Sequence, residues 1–387
     1  MNQKLCILVI GFCLSACGGG SGGSAPPGQD PSEQQTGDTR HWDLERASAD
    51  SVSANEAAVD DLIDYLFTDA ATQSVLVSKD GYVIGERYAD GTDENTYGTS
   101  WSVAKSFYSA AVGIAIDEGA IESVDQQASD FLTEWQGTDK EDITIKQILQ
   151  MRSDYPVGDE VFFATDQSEF AISYALAETR DNSFRYSNAN TQLIEPILRR
   201  ATGVTADEYL GQKLLTPLGV ETAEVGFWRD ATGENPMTYC CLDMKPEVFL
   251  RFGLLFAREG VWDGLQIISE DYVNDALTPE GYYGYQWWMF NEAFFGTEQP
   301  ADIKAAQGLH GQKIYVWPDQ DIVVVVMTLY EHLFNQGFVL DLQGETPNNF
   351  PNTCEARNLC SWSEGDVVPQ VGQTGIPTLI AALVTAE

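Results

Sequence analysis

The chain has 387 residues, of which 43% are hydrophobic and 11% aromatic, so it can bury a sizeable core and is neither disordered nor fibrous. It carries 59 acidic and 21 basic residues, for a net charge of −38. A field of this sign repels phosphate backbones, so we expect no nucleic-acid partner. With only three histidines, His41, His310 and His332, and no H-E-x-x-H motif, we also expect no metal site.

The amino terminus has the features of an export signal. Residues 5–14 form an apolar run too short to span a bilayer, and Leu-Ser-Ala-Cys follows at residues 14–17. Residues 1–16 therefore resemble a bacterial lipoprotein signal peptide, with an ordinary secretory signal as the alternative. The resemblance implies a lipid on Cys17, hence a membrane anchor, and Gly18 after it favours the outer membrane, facing the periplasm or the cell surface. Residues 17–50 are predicted to be a flexible tether rich in Gly, Ser and Pro.

Four cysteines follow the lipidation site, and in an exported protein an even number indicates disulfides. Three pairings are open. Cys354–Cys360 closes a short loop and is preferred. Cys240–Cys241 would be a rare bridge between adjacent residues, and cross-pairing of the two clusters is a serious alternative.

The first half of the folded part begins with a helix and a hairpin. Apolar residues at helical spacing predict a helix over 54–67, and two β-prone runs around Lys79-Asp80-Gly81 predict a hairpin over 74–88. A long apolar run predicts a buried helix over 102–118. Residues 120–230 are predicted to be mainly helical, most clearly at 147–151 and 190–200, and Pro196 should kink or shorten the second of these helices.

The second half returns to strands. The pattern predicts helices over 247–259 and 270–277, an aromatic strand over 282–290, a hairpin of strands 313–317 and 322–329, and a closing helix over 376–386. We therefore predict an α+β fold over residues 51–387: an antiparallel sheet flanked by terminal helices, with a helical insertion at about 120–230.

Three polar elements are candidates for chemistry. Ser102 and Lys105 form the only S-x-x-K in the chain, and positions three apart share a helix face, so the amine should stand beside the hydroxyl. Tyr186-Ser187-Asn188 precedes a predicted helix; Tyr186 can exchange a proton with serine, and Asn188 can bind a carbonyl or hold the lysine. The third element, Gly308 to Gln312, enters a strand where a backbone N–H can join that of Ser102 in an oxyanion hole. Each element alone also has a purely structural interpretation.

Together and in this order, the three elements resemble the serine β-lactamase and penicillin-binding-protein superfamily. The longer strings at 99–107, 143–151, 186–193 and 252–256 resemble its class C-like esterase and 6-aminohexanoate-dimer hydrolase branch. The resemblance implies a β-lactamase-like fold, an acyl-enzyme on Ser102 and no cofactor. It assigns Lys105 and Tyr186 to proton transfer, with Tyr186 as the acceptor.

The resemblance also has departures. Where β-lactamases have Lys-Thr-Gly, this chain has Leu309-His310-Gly311, or His310-Gly311-Gln312 in a shifted register, so the lysine that binds a β-lactam carboxylate is missing. This favours a small amide or ester substrate, with Asn188, His310, Gly311 and Gln312 near it. Tyr155 can line the cleft, although packing is the better interpretation. The alternatives are a D,D-peptidase acting on cell-wall peptide, a non-catalytic peptidoglycan-binding module and, third, a histidine-based hydrolase.

Overall fold

A computed structural model describes residues 41–69, 71–328, 343–344 and 372–384 of the chain. The predicted signal peptide, Cys17, His332, Cys354 and Cys360 lie outside the described residues. Eleven helices are described: α1 Glu56–Leu66, α2 Ala104–Asp117, α3 Ile145–Leu149, α4 Gln167–Ser173, α5 Asn188–Gln192, α6 Ile194–Thr202, α7 Ala206–Leu210, α8 Pro246–Ala257, α9 Glu270–Leu277, α10 Glu292–Phe295 and α11 Ile376–Ala381.

The described strands are β1 Thr72–Lys79, β2 Tyr82–Tyr88, β3 Gly98–Thr99, β4 Gly226–Arg229, β5 Leu242–Met244, β6 Val261–Trp262, β7 Leu265–Gln266, β8 Trp288–Phe290, β9 Ile303–Gln307, β10 Lys313–Trp317, β11 Ile322–Thr328 and β12 Gln343–Gly344. Six of them form an antiparallel sheet in the order β2-β1-β11-β10-β9-β8. Its centre is β11, whose β-branched run is buried along its whole length. Both predicted hairpins are therefore found, the first turning through Asp80 and Gly81 at positive φ.

The central sheet is covered on both faces, because side chains alternate along each strand. Val324 and Val326 of β11 face a cluster that includes residues of α1 and α11, the two terminal helices. Val323 and Val325 face the larger cluster, which includes residues of α2 and α8. The predicted sheet with terminal helices is thus present.

Helices and a small second sheet, β12-β4-β5-β3, form the rest of the described fold. The helix predicted over 190–200 is divided into α5 and α6 at Leu193, three residues before Pro196. Pro196 has no N–H to donate to the carbonyl of Gln192, so the helix breaks just before the proline, as the sequence predicts. Among the residues described, no helix is long and apolar enough to cross a membrane, and even α2 has only 14 residues.

Two boundaries differ from prediction. The strand predicted over 282–290 is confined to β8, because Gln286 takes a φ of 65° and turns the chain. The tether predicted to reach residue 50 ends earlier: Leu44 is 2% exposed in the core, and residue 46 forms a bridge with Val83 of β2.

Candidate active site

Ser102 lies in a single 3-10 turn, Trp101–Val103, immediately before α2. The turn is held against the small sheet by Ser100, whose N–H donates to the Leu242 carbonyl at 2.9 Å and whose Oγ accepts from the Leu242 N–H at 2.7 Å. Trp101 has a φ of 46°, so the chain turns sharply just before the serine. The helix predicted from residue 102 therefore starts two residues later, and the hydroxyl stands at its entrance.

Lys105 is 1% exposed and stands directly beside this hydroxyl. Its Nζ lies 2.8 Å from Ser102 Oγ, 2.8 Å from Asn188 Oδ1 and 2.6 Å from the Tyr239 carbonyl oxygen. Burial lowers the pKa of Lys105 well below its usual 10.5, and the charge of Asp159 opposes this in part. A neutral amine has two N–H groups and one lone pair. When Lys105 is neutral, the two carbonyl oxygens accept its two N–H groups and its lone pair can accept the Ser102 hydroxyl hydrogen. When Lys105 is charged, its third N–H donates to Ser102 Oγ.

Tyr186 borders the same serine from the other side. Its hydroxyl hydrogen-bonds Ser102, while burial and the charge of Asp159 raise its pKa above 10.0. Lys105 Nζ lies 5.0 Å from the centre of the tyrosine ring, and the ring stacks on Trp288 at 5.7 Å. The sequence-based assignment of Tyr186 as the proton acceptor stays a prediction. Burial lowers the pKa of the amine and raises that of the phenol, so Lys105 is a second candidate for that role.

Asn188 holds the lysine and is itself held by a carboxylate. It is the first residue of α5, where the Ser187 side chain caps the helix. Its Oδ1 accepts from Lys105, and its Nδ2 donates to Asp159 Oδ1 at 2.6 Å. Asp159 reaches this position because its loop pairs through Gly158 with Ser187. No sequence motif contains this carboxylate, so the sequence analysis did not identify it.

A cavity of about 740 Å³ opens above the serine. Its lining is largely aromatic and apolar, with few polar groups, as is typical of small-molecule sites. The residues that line it are Trp101, Ser102, Val157, Gly158, Asp159, Phe162, Phe163, Tyr186, Asn188, Tyr239, Cys240, Trp288, Phe294, Gln307, Gly308, Leu309, Lys313 and Gln373.

The third sequence element meets this cavity through Gly308 and Leu309. Gly311 lines a smaller adjoining cavity of about 200 Å³. The Gln312 side chain is fully buried and bonds to the backbone and hydroxyl of Thr328, so it ties β10 to β11. His310 lies in the 3-10 turn Leu309–Gly311 between β9 and β10, and its side chain is outside the described residues. The residues of this element that line the main cavity are thus Gly308 and Leu309, at its amino-terminal end.

Two other predicted residues are placed clearly. Tyr155 is 1% exposed, donates to the Ala171 carbonyl at 2.6 Å and packs near Trp135, so it has the packing role. Cys240 and Cys241 form a disulfide with each other, and Cys241 has a φ of 134° that the sequence did not signal. Cys354 and Cys360 lie outside the described residues, so their pairing stays a prediction.

No group of three or more His, Cys, Asp or Glu side chains that could hold a metal ion is found among the described residues. The chemistry visible at the site is that of a serine hydroxyl, a desolvated amine and a phenol within reach of one another. Such a set can activate an oxygen nucleophile and move its proton.

The fold and this site resemble those of the serine β-lactamase and penicillin-binding-protein superfamily. Residues 59–239 match the family model described as Beta-lactamase. The fold class predicted from the sequence is confirmed.

Individual relatives are distant. The chain is 24% identical over 320 residues to the 6-aminohexanoate-dimer hydrolase of Paenarthrobacter ureafaciens, covering 71% of this chain and 78% of the relative. Among solved structures, a penicillin-binding protein homologue from Caulobacter crescentus matches with a TM-score of 0.58 at 14% identity, over 70% of this chain and 91% of that one. A mutant class C β-lactamase matches with a TM-score of 0.56 at 17% identity, again over 70% and 91%. These structures support the fold.

Proposed function

We propose that the protein is a serine hydrolase that cleaves a small amide or ester through an acyl-enzyme on Ser102. The observation that carries the proposal is the position of Lys105 Nζ, which is desolvated, bonded to two carbonyl oxygens and 2.8 Å from Ser102 Oγ. An amine in this state accepts the serine proton as the hydroxyl attacks.

The reaction then runs in two halves. Ser102 Oγ attacks the carbonyl carbon while its proton passes to Lys105, and backbone N–H groups of Ser102 and of the Gly308–Gln312 segment face the oxyanion. When the bond to the leaving group breaks, Tyr186 donates its proton to that group and is reprotonated from Lys105. A water molecule next attacks the acyl-enzyme and gives its proton to Lys105. Release of the acid returns this proton to Ser102.

Two features favour an amide or ester that lacks the β-lactam carboxylate. The third element has Leu309 or, in the shifted register, His310 where β-lactamases have the lysine of their third motif. The relative from Paenarthrobacter ureafaciens is, by its name, a hydrolase of the 6-aminohexanoate dimer.

The test is turnover of a substrate panel by the wild type and by Ser102→Ala. The panel contains p-nitrophenyl esters, linear aminohexanoate oligomers, nitrocefin and D-amino-acid peptides. Ser106→Ala is the matched control, because Ser106 lies on the same helix but bonds to the Gln286 carbonyl. We expect turnover of an ester or amide that Ser102→Ala abolishes and Ser106→Ala retains. Exclusive turnover of the D-amino-acid peptides would show a D,D-peptidase, and no turnover with tight peptidoglycan binding would show a binding module.

We also propose that the chain is an exported lipoprotein, anchored through Cys17 after removal of residues 1–16. The support is the Leu-Ser-Ala-Cys sequence behind a short apolar run. Expression of the full chain in a bacterium with a tagged fatty acid should label the wild type and leave Cys17→Ser unlabelled. Equal labelling of both proteins would contradict the anchor.

A further inference from the structure

The rim of the Ser102 cavity carries an unusual concentration of exposed hydrocarbon. Among the described residues, four large hydrophobic side chains are strongly exposed: Phe163 at 72%, Val157 at 69%, Leu309 at 51% and Leu265 at 43%. The first three line the cavity above Ser102, and Leu265 lies apart, on the β6-β7 ribbon. Single exposed hydrophobic residues are ordinary, but several around one cleft mark a binding surface.

The exposed rim continues inward as an aromatic wall. Phe163 lies 6.4 Å from Phe162, which lies 6.4 Å from Trp101 and 5.6 Å from Tyr239, measured between ring centres. Trp101 is the residue before the nucleophile, so one apolar surface extends from the reacting serine to the solvent.

Two charged side chains line the cavity, and each has a partner within the protein. Asp159 accepts from Asn188, and Lys313 Nζ donates to Gln307 Oε1 at 2.9 Å. The side chains of Val157, Phe163 and Leu309 offer only hydrocarbon to an incoming group. A volume of about 740 Å³ is also far more than an acetyl group needs.

We infer that the substrate carries a hydrocarbon group of several carbons next to the scissile carbonyl, on its acyl or its leaving-group side, and that Val157, Phe163 and Leu309 bind this group. The inference rests on the proposed serine hydrolase function and narrows its substrate class. Transfer of each methylene from water to a fully apolar site is worth about a 4-fold gain in affinity. On a half-open rim we expect about a 2-fold gain per methylene, or about 16-fold over four methylenes.

The experiment measures kcat/KM along two series below their solubility limits: p-nitrophenyl esters from acetate to octanoate, and acetate esters of alcohols from ethanol to octanol. The variant is the triple change Val157→Ser, Phe163→Ser and Leu309→Ser, which alters side chains that are mostly in solvent and should fold. The matched control is Leu265→Ser, an equally apolar exposed residue away from the cavity. We expect kcat/KM to rise about 16-fold over four methylenes in one of the series, in the wild type and the control, and this gain to fall to about 2-fold in the triple variant.

Two results would overturn the inference: no gain with chain length in either series, or a gain that the triple variant keeps in full. Acylation of Ser102 by p-nitrophenyl acetate is followed in the same samples. If Ser102 is acylated but chain length has no effect, the substrate class is wrong and the proposed hydrolase remains. If Ser102 is not acylated, the proposed function itself fails.

Discussion

Replacing Asp159 by asparagine should move the pH dependence of the reaction without dismantling the site. The substitution removes one negative charge, and the new side chain keeps an oxygen that can accept from Asn188 Nδ2. In the wild type the bond from Asp159 to Asn188 is 2.6 Å and that from Asn188 to Lys105 is 2.8 Å. Both bonds are made by the side-chain amide of Asn188, so the charges of Asp159 and Lys105 are roughly 7 Å apart. At an effective dielectric constant of about 20 to 40 their attraction is about 1–2 kcal/mol.

The direction of the effect follows from the role of Lys105. The amine must be deprotonated to accept the serine proton, so kcat/KM rises with pH through its pKa. The Asp159 charge stabilises the ammonium form and raises that pKa. Its removal should shift the rising limb of the profile to lower pH by about one unit.

The assay is kcat/KM for an uncharged activated ester across the pH range in which the protein is folded. Asp271→Asn, an exposed site on α9, is the control for loss of one charge from an acidic protein. A limb that moves to higher pH, or that moves no further than in Asp271→Asn, would refute the assignment of Lys105 as the base.

Three more predictions concern Tyr186, Asp243 and Gly308. Tyr186→Phe should reduce kcat by about 10²–10⁴-fold with little change in KM, because the hydroxyl acts in proton transfer; steady-state kinetics showing a near-normal kcat would contradict this. Burial raises the pKa of the Asp243 carboxyl to about 7, so the folded state keeps this proton while the unfolded state loses it above about pH 4, and the free energy of unfolding should fall as the pH rises from about 4 to 7. Urea unfolding of Asp243→Asn should lack this decline, and parallel pH curves for the wild type and the variant would contradict the prediction. Gly308→Ala should lower both the melting temperature and kcat/KM, because a Cβ there would press on the Ser100 carbonyl oxygen beside the nucleophile; unchanged melting and activity would be inconsistent with this contact.

The parts of the site that the sequence predicted are those set by local spacing. Ser102 and Lys105 are three residues apart at the start of one helix, so their contact needs no knowledge of the rest of the fold. Asn188 was identified in the same way, through its neighbours Tyr186 and Ser187. The sheet was predictable because the β-branched run of β11 and the Asp-Gly turn after β1 are strong local signals.

The remaining parts depend on contacts between distant segments. Asp159 reaches Asn188 only because two loops pair, and in a chain with 59 acidic residues a single aspartate is not conspicuous. The Tyr239 carbonyl that binds Lys105 is a backbone group, and every residue has one. The sequence leaves the register of the third element open by one residue, because a segment of glycine, leucine and histidine has no periodicity that fixes it. Gln286 also takes a positive φ and shortens the aromatic strand. Because this residue is not a glycine, the sequence did not indicate a turn there.

The most direct measurement of the central claim is the mass of the trapped intermediate. The wild type is mixed with a slowly hydrolysed activated ester, quenched in acid, weighed intact and digested, and the peptide that carries the acyl group is sequenced by mass spectrometry. The account predicts one acyl group on Ser102 in the wild type and none in Ser102→Ala. An acyl group on any other residue, or an equal amount of adduct in Ser102→Ala, would contradict it.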